Sequence, residues 1–255
     1  MKKLFFIIFI LSCSKIENPN ILVSIYPLKL VLNEIGISSY ALIDKVVDIH
    51  SFEPSIRTIL NVQNTCGFIY ISDNLETWAN NITSKYKLEL LENNTNLHAW
   101  TDPKFILNKM SDIESLLLKC KINYSKDSIN KLISKLKKID STNANIASKI
   151  RVEYILFHTS FEPFLKSYNL KIRTILLKEG HADILPSDLE KALSSKDKVI
   201  IKENYYSDEL LRIFKEKSFR IISLDPYGFS FKTYSDFIKY ISDSILGNTY
   251  TLEEN

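Results

Sequence analysis

The sequence predicts two α/β lobes of similar size, each with a mostly parallel sheet, joined by one long rigid helix. Three observations carry this. Short apolar runs alternate with helical patterns from Ile21 to Leu118, the pattern of a parallel sheet covered by helices. A long helical stretch from about Asp127 to Lys149 then interrupts the alternation. The alternation resumes after it. The expected boundaries are residues 21–124 for the first lobe, 125–149 for the linking helix and 150–255 for the second lobe.

Taken in order, Ile21-Leu22-Val23-Ser24-Ile25 reads as a buried strand. Pro27 opens a helix carrying Leu28, Leu30, Val31, Leu32 and Ile35, and Gly36 stops it. Tyr40 to Ile49 suits a second strand, and Pro54 starts a helix with Ile56, Ile59, Leu60 and Val62. Gly67 to Ser72 is a third strand, Leu75 to Ala79 opens a helix, Tyr86 to Leu91 is a fourth strand, and Pro103 to Leu118 is a helix. In the linking segment Ile129, Leu132, Ile133, Leu136 and Ile139 recur at helical spacing. At about 1.5 Å per residue that helix runs roughly 35 Å. The second lobe reads as strands Val152–Phe157, Ile172–Leu177, Lys198–Lys202 and Arg220–Leu224. Its helices start at Pro163, at Pro186, at Ser207 and near Phe237.

Three of the four histidines share one local context. His50 precedes Ser51-Phe52-Glu53-Pro54, His98 precedes Ala99-Trp100-Thr101-Asp102-Pro103, and His158 precedes Thr159-Ser160-Phe161-Glu162-Pro163. The acid–proline pair is a helix start, because a carboxylate caps free N–H groups and proline tolerates the first helical position. Each histidine is therefore expected in a loop before a helix, the region of α/β proteins where ligands bind. Ile221-Ile222-Ser223-Leu224-Asp225-Pro226 ends an apolar run in the same way and adds a carboxylate. His50, His98, His158 and Asp225 make a tetrahedral zinc set, two ligands from each lobe. Glu53, Asp102 and Glu162 read as caps, and Phe52, Trp100 and Phe161 as packing beneath the site. His181 lacks the shared context and reads as a surface residue.

The first twelve residues join Lys2-Lys3 to a short apolar run, too short for the roughly 20 residues that span a bilayer. They read as a signal peptide. Ile10-Leu11-Ser12-Cys13 resembles a bacterial lipobox in which Cys13 is lipidated, and residues 13–20 form a polar tether. The protein is then expected outside the cytoplasm, anchored to the cell envelope. Without Lys2 and Lys3 the formal charge falls from +3 to +1. That near-neutral balance offers nucleic acid no footprint. Cys66 and Cys120 read as small core residues, with a disulfide between them left open. An enzyme is disfavoured, since the chain has no His-Glu-x-x-His motif and Asp225 would fill the coordination position a zinc hydrolase keeps open.

At these residues the chain resembles the lipid-anchored, metal-specific substrate-binding proteins of bacterial zinc and manganese ABC importers. The matching segments are Val23-Ser24-Ile25-Tyr26-Pro27, His50 to Pro54, Leu75-Glu76-Thr77-Trp78, His98 to Pro103, Phe157-His158 and Leu224-Asp225-Pro226-Tyr227-Gly228. The resemblance implies two lobes bridged by one rigid helix, with a metal in the cleft at the positions of His50, His98, His158 and Asp225. It implies a monomer that delivers a divalent metal to a membrane permease. Ile49 and Leu97 stand where members often have proline, Thr101 stands where an apolar residue is usual, and the long His- and acid-rich loop of many zinc members is missing. Manganese binders tend to have a carboxylate at the position of His158. Three nitrogens and one oxygen favour Zn²⁺ over the harder Mn²⁺. A manganese-binding member and a surface adhesin with a structural metal site are the alternatives.

Overall fold

The computed structural model describes residues 20–45, 49–91, 97–178 and 183–247. The signal segment, Cys13 and His181 lie outside them.

In the first lobe β1 (Ile21–Ile25) is buried at every position. It pairs in parallel with β2 (Tyr40–Ile43) on one side and β3 (Thr65–Tyr70) on the other, and β3 pairs in parallel with β4 (Ser84–Glu89). The order is β2-β1-β3-β4. The second lobe repeats the plan. Strands β5 (Glu153–His158), β6 (Lys171–Leu177), β7 (Val199–Glu203) and β8 (Arg220–Leu224) form a parallel sheet in the order β6-β5-β7-β8. In each sheet the chain runs first to one side of the opening strand and then to the other. This places a switch point at the carboxyl ends of β1 and β3, and another at those of β5 and β7.

The helices are α1 (Tyr26–Glu34), α2 (Ile56–Val62), α3 (Pro103–Lys119), α4 (Lys126–Ala147), α5 (Glu162–Ser167), α6 (Pro186–Leu193), α7 (Arg212–Glu216) and α8 (Tyr234–Ser242). Pro27 occupies the first turn of α1, and Gly36 follows its end at φ +81°, where a side chain would be strained. α4 is the 22-residue connection between the lobes. Its buried Ile129, Leu132 and Leu136 are the helical stripe seen in the sequence. α8 packs against both α1 and α4. Glu34, at the end of α1, ties the three together: its carboxylate accepts from Ser235 N at 2.8 Å and Ser235 Oγ at 2.6 Å, and pairs with Lys135 Nζ at 2.8 Å.

The strand period of two divides the β5 side chains between two cores. Tyr154 and Leu156 join a core continuous with the first lobe, whereas Ile155 and Phe157 pack with Ala192 of α6 and Phe214 of α7. On β7, Val199 and Ile201 face the first core and Ile200 the second. His158 and Glu203 follow the parity of Leu156 and Ile201, toward the other lobe.

Several elements differ from the sequence reading. β2 ends at Ile43, not Ile49, because its partner β1 turns into α1 after Ile25, the residue opposite Ile43. β3 and β4 each start two residues earlier than expected, paired from Thr65 opposite Ser84. The stretch after Leu75 is a 3₁₀ turn, Thr77–Asn81, rather than a regular helix. The buried Glu76 carboxylate braces the loop before it, accepting from Ile71 N at 2.7 Å and Ser72 N at 2.9 Å. Cys66 and Cys120 are joined in a disulfide, with Cα atoms 5.6 Å apart, linking β3 to the end of α3.

Candidate metal centre

His50 lies in a turn on the way from β2 to α2. His98 precedes the 3₁₀ turn Ala99–Thr101, which leads directly into α3. His158 is the last residue of β5 rather than a loop residue, and the 3₁₀ turn Thr159–Phe161 then leads into α5. The shared acid–proline context therefore has three different structural outcomes. Asp102 does cap α3, accepting from Lys104 N at 3.0 Å. Glu53 does not cap α2; Ser55 does, accepting from Thr58 N at 3.1 Å. Glu162 is itself the first residue of α5 and pairs with Lys166 at 2.6 Å.

Despite these differences the three imidazoles converge. Their ring centroids form a nearly equilateral triangle: 5.2 Å between His50 and His98, 5.5 Å between His50 and His158, and 5.3 Å between His98 and His158. One ring nitrogen from each lies within 4.8 Å of the others. His98 and His158 are buried, and His50 is exposed at the mouth. The fully buried Trp100 backs the site, its ring 5.0 Å from His98, and its indole N–H donates to the carbonyl of Pro226 in the other lobe at 2.8 Å. Phe161 is buried, and Phe52 packs edge-on against Trp78 at 5.7 Å.

The other side of each buried imidazole is also engaged. His98 Nδ1 lies 3.4 Å from Thr159 Oγ1 across the cleft, and His158 Nδ1 lies 3.3 Å from Ser160 Oγ. Binding a metal through Nε2 keeps both contacts. Burial, followed by the charges of His158 and His50, holds the His98 pKa well below the ordinary imidazole value. A neutral imidazole is the form that ligates metal.

Asp225 stands outside this triangle. Its Oδ1 accepts from Tyr227 N at 2.8 Å and its Oδ2 from Phe229 N at 2.9 Å, so it clasps the loop that follows β8. The described group with mutually close ligand atoms contains the three histidines and no carboxylate. One carboxylate the sequence reading passed over does reach the site. Glu203, fully buried at the end of β7, has Oε1 3.5 Å from His158 Nδ1. Its signal was an acid closing an apolar run, Val199-Ile200-Ile201-Lys202-Glu203, beside the strand that ends in His158.

Three imidazole nitrogens within 4.8 Å of one another suit a borderline cation such as Zn²⁺. Two parallel-sheet lobes, a linking helix and imidazoles gathered from both lobes define a cleft-type metal-capturing protein. The model of one protein family, zinc-uptake complex component A, periplasmic (ZnuA), matches residues 21–247. The chain belongs to that family, whose members are substrate-binding components of zinc-uptake ABC importers.

Solved structures agree on the fold. The laminin-binding protein Lmb of Streptococcus agalactiae, described as bifunctional with adhesin and metal-transporting activity, superposes with a TM-score of 0.74 at 19% identity, covering 88% of this chain and 98% of that one. The Zn(II)-bound ZnuA-like domain of Streptococcus pneumoniae AdcA gives 0.70 at 18%, covering 91% and 99%. A zinc-bound ZnuA deletion mutant gives 0.69 at 17%, covering 90% and 97%. Comparison with curated protein sequences found no match.

Proposed function

We propose that this chain captures Zn²⁺ outside the cytoplasm and hands it to the permease of an ABC importer, with His50, His98 and His158 as the nitrogen ligands. The observation that carries the reading is the triangle itself: two imidazoles of one lobe and one of the other, with ligand atoms within 4.8 Å. Asp225 enters the proposal as the fourth ligand. Each of its oxygens accepts one loop N–H, and each keeps a lone pair for a metal. Nitrogen predominates in this set, which favours zinc over manganese.

The chain acts as a carrier and not as an enzyme. His158, the residue on which the metal choice turns, is the last residue of β5, a strand paired on both sides. Lipid attachment at Cys13 keeps the carrier at the membrane, and a monomer is the working form. Among the described residues no helix is long and apolar enough to cross a membrane.

Titration calorimetry tests the site. The purified protein should bind one zinc, with weaker binding of manganese. His98→Ala and His158→Ala should each lose most of the affinity, and Asp225→Ala should lose less. Full affinity in both histidine variants would refute the ligand set. A Cys13→Ser variant should move from the membrane fraction to the soluble one; unchanged retention would refute the anchor.

A further inference from the structure

The carboxylate at the end of β7 is buried without a hydrogen bond. Glu203 is 0% exposed, and neither of its oxygens has a hydrogen-bond partner. An isolated buried carboxylate is costly, so its retention calls for a compensating charge or donor. Its place in the sheet shows what that is. β5 and β7 run in parallel with Tyr154 opposite Val199 and Leu156 opposite Ile201. Two residues further on, the same register sets His158 beside Glu203, at the carboxyl ends of two adjacent strands and on the same face. The 3.5 Å separation of Glu203 Oε1 and His158 Nδ1 is the result.

We propose that Glu203 is a positioning residue that selects the zinc-binding tautomer of His158. The carboxylate offers acceptor oxygens to the imidazole edge beside it. Facing Nδ1, it favours the tautomer with the proton on Nδ1, which leaves the Nε2 lone pair for the metal. The Ser160 hydroxyl, 3.3 Å from the same Nδ1, could act either way, as donor or acceptor. Glu203 removes that ambiguity, because a bare Nδ1 would set its lone pair against the lone pairs of the carboxylate oxygen 3.5 Å away. The second contribution is charge. Zinc brings two positive charges into a largely buried site that Asp225 only partly balances, and Glu203 lies one imidazole away. A histidine ligand whose second nitrogen donates to a carboxylate is a more basic and better oriented ligand.

This inference rests on His158 being a ligand, and the test separates the two. Wild type, Glu203→Leu, Glu203→Gln and His158→Ala proteins are compared by competition titration with zinc, by melting of the metal-free forms, and by ¹⁵N NMR of the histidine rings. Glu203→Leu should weaken zinc binding about 10- to 100-fold while the metal-free protein melts no lower than wild type, since an uncompensated buried acid is gone. Glu203→Gln, which keeps an acceptor, should fall between them. In the metal-free wild type, His158 should carry its proton on Nδ1, and Glu203→Leu should shift the ring toward the other tautomer. Overturning results are an unchanged zinc affinity in Glu203→Leu, a loss of affinity that only follows a lower melting temperature, or an Nε2–H tautomer in the wild type. Full zinc affinity in His158→Ala would remove the ligand assignment and this inference with it. Loss in His158→Ala with none in Glu203→Leu would remove this inference alone.

Discussion

Thr101 Oγ1 lies 3.0 Å from the carbonyl oxygen of Ser160, across the cleft, and 3.1 Å from that of His98 in its own lobe. One hydroxyl thus joins the segment after His98 to the segment after His158. Trp100 Nε1 to the Pro226 carbonyl, Tyr234 Oη to the Trp100 carbonyl at 2.8 Å, and Lys104 Nζ to the Ser167 carbonyl at 2.9 Å cross the same boundary. These hydrogen bonds join the lobes independently of any metal ligand.

Thr101 is fully buried; the Ser160 contact gives its hydroxyl a use. Thr101→Val keeps the volume but leaves the Ser160 carbonyl without this donor. The expected cost is about 1–3 kcal/mol in the metal-free protein, measured by urea unfolding, with one zinc still bound. A variant as stable as wild type would show that the cross-cleft bond contributes nothing.

His158→Ala should lose most of the zinc-dependent stabilisation, which for a ligand at 1,000 times its dissociation constant is about 4 kcal/mol. Because protein contacts already hold the cleft, the metal-free melting temperature should change far less. Scattering should show only a modest difference between metal-free and zinc-loaded forms. His181→Ala should alter neither melting nor binding. A His181 variant that loses zinc as badly as the His158 variant would overturn the assignment.

The architecture was legible because its signals are long-range and redundant. Eight apolar runs, proline at helix starts and one uninterrupted stripe from Ile129 to Ile139 all agree with two parallel-sheet lobes and a linking helix. The histidines were legible because their context repeats. What that context meant locally was not, since capping depends on where the backbone turns: Ser55 displaced Glu53 by starting α2 later, and only Asp102 met free N–H groups. Glu203 escaped notice because its place beside His158 comes from strand register, which brings together residues 45 positions apart in the chain. The Cys66–Cys120 pairing is likewise a matter of packing, set by α3 returning over the start of β3.

That disulfide spans 54 positions of sequence. Loop-closure entropy for such a span is worth about 4 kcal/mol on the chain-entropy account. Cys66 is the second residue of β3, at the end of the strand opposite the histidines. A Cys66→Ser, Cys120→Ser protein should therefore unfold several degrees lower with zinc affinity unchanged at temperatures where it stays folded. Weakened zinc binding in the folded variant would contradict this separation.

Two buried titratable groups of the first lobe, Glu76 and His98, pull stability in opposite directions with pH. Burial raises the Glu76 pKa to about 7 from 4.5. The folded protein then holds a proton the unfolded chain has released, so this contribution is complete below about pH 4.5 and lost as pH rises through about 7. A shift of this size corresponds to a few kcal/mol, at about 1.4 kcal/mol per unit. His98 behaves the other way. Its folded pKa lies well below 6.5, so its contribution is complete above about 6.5 and declines as pH falls toward the folded value. Glu76→Gln isolates the first effect: relative to wild type, the metal-free variant should gain stability between about pH 5 and pH 8, with thermal melts at each pH as the measurement. A constant difference across that range would show that Glu76 is ionised throughout. His98→Gln should flatten the decline below about pH 6.5, and a variant whose acid limb matches the wild type would assign that limb to other groups.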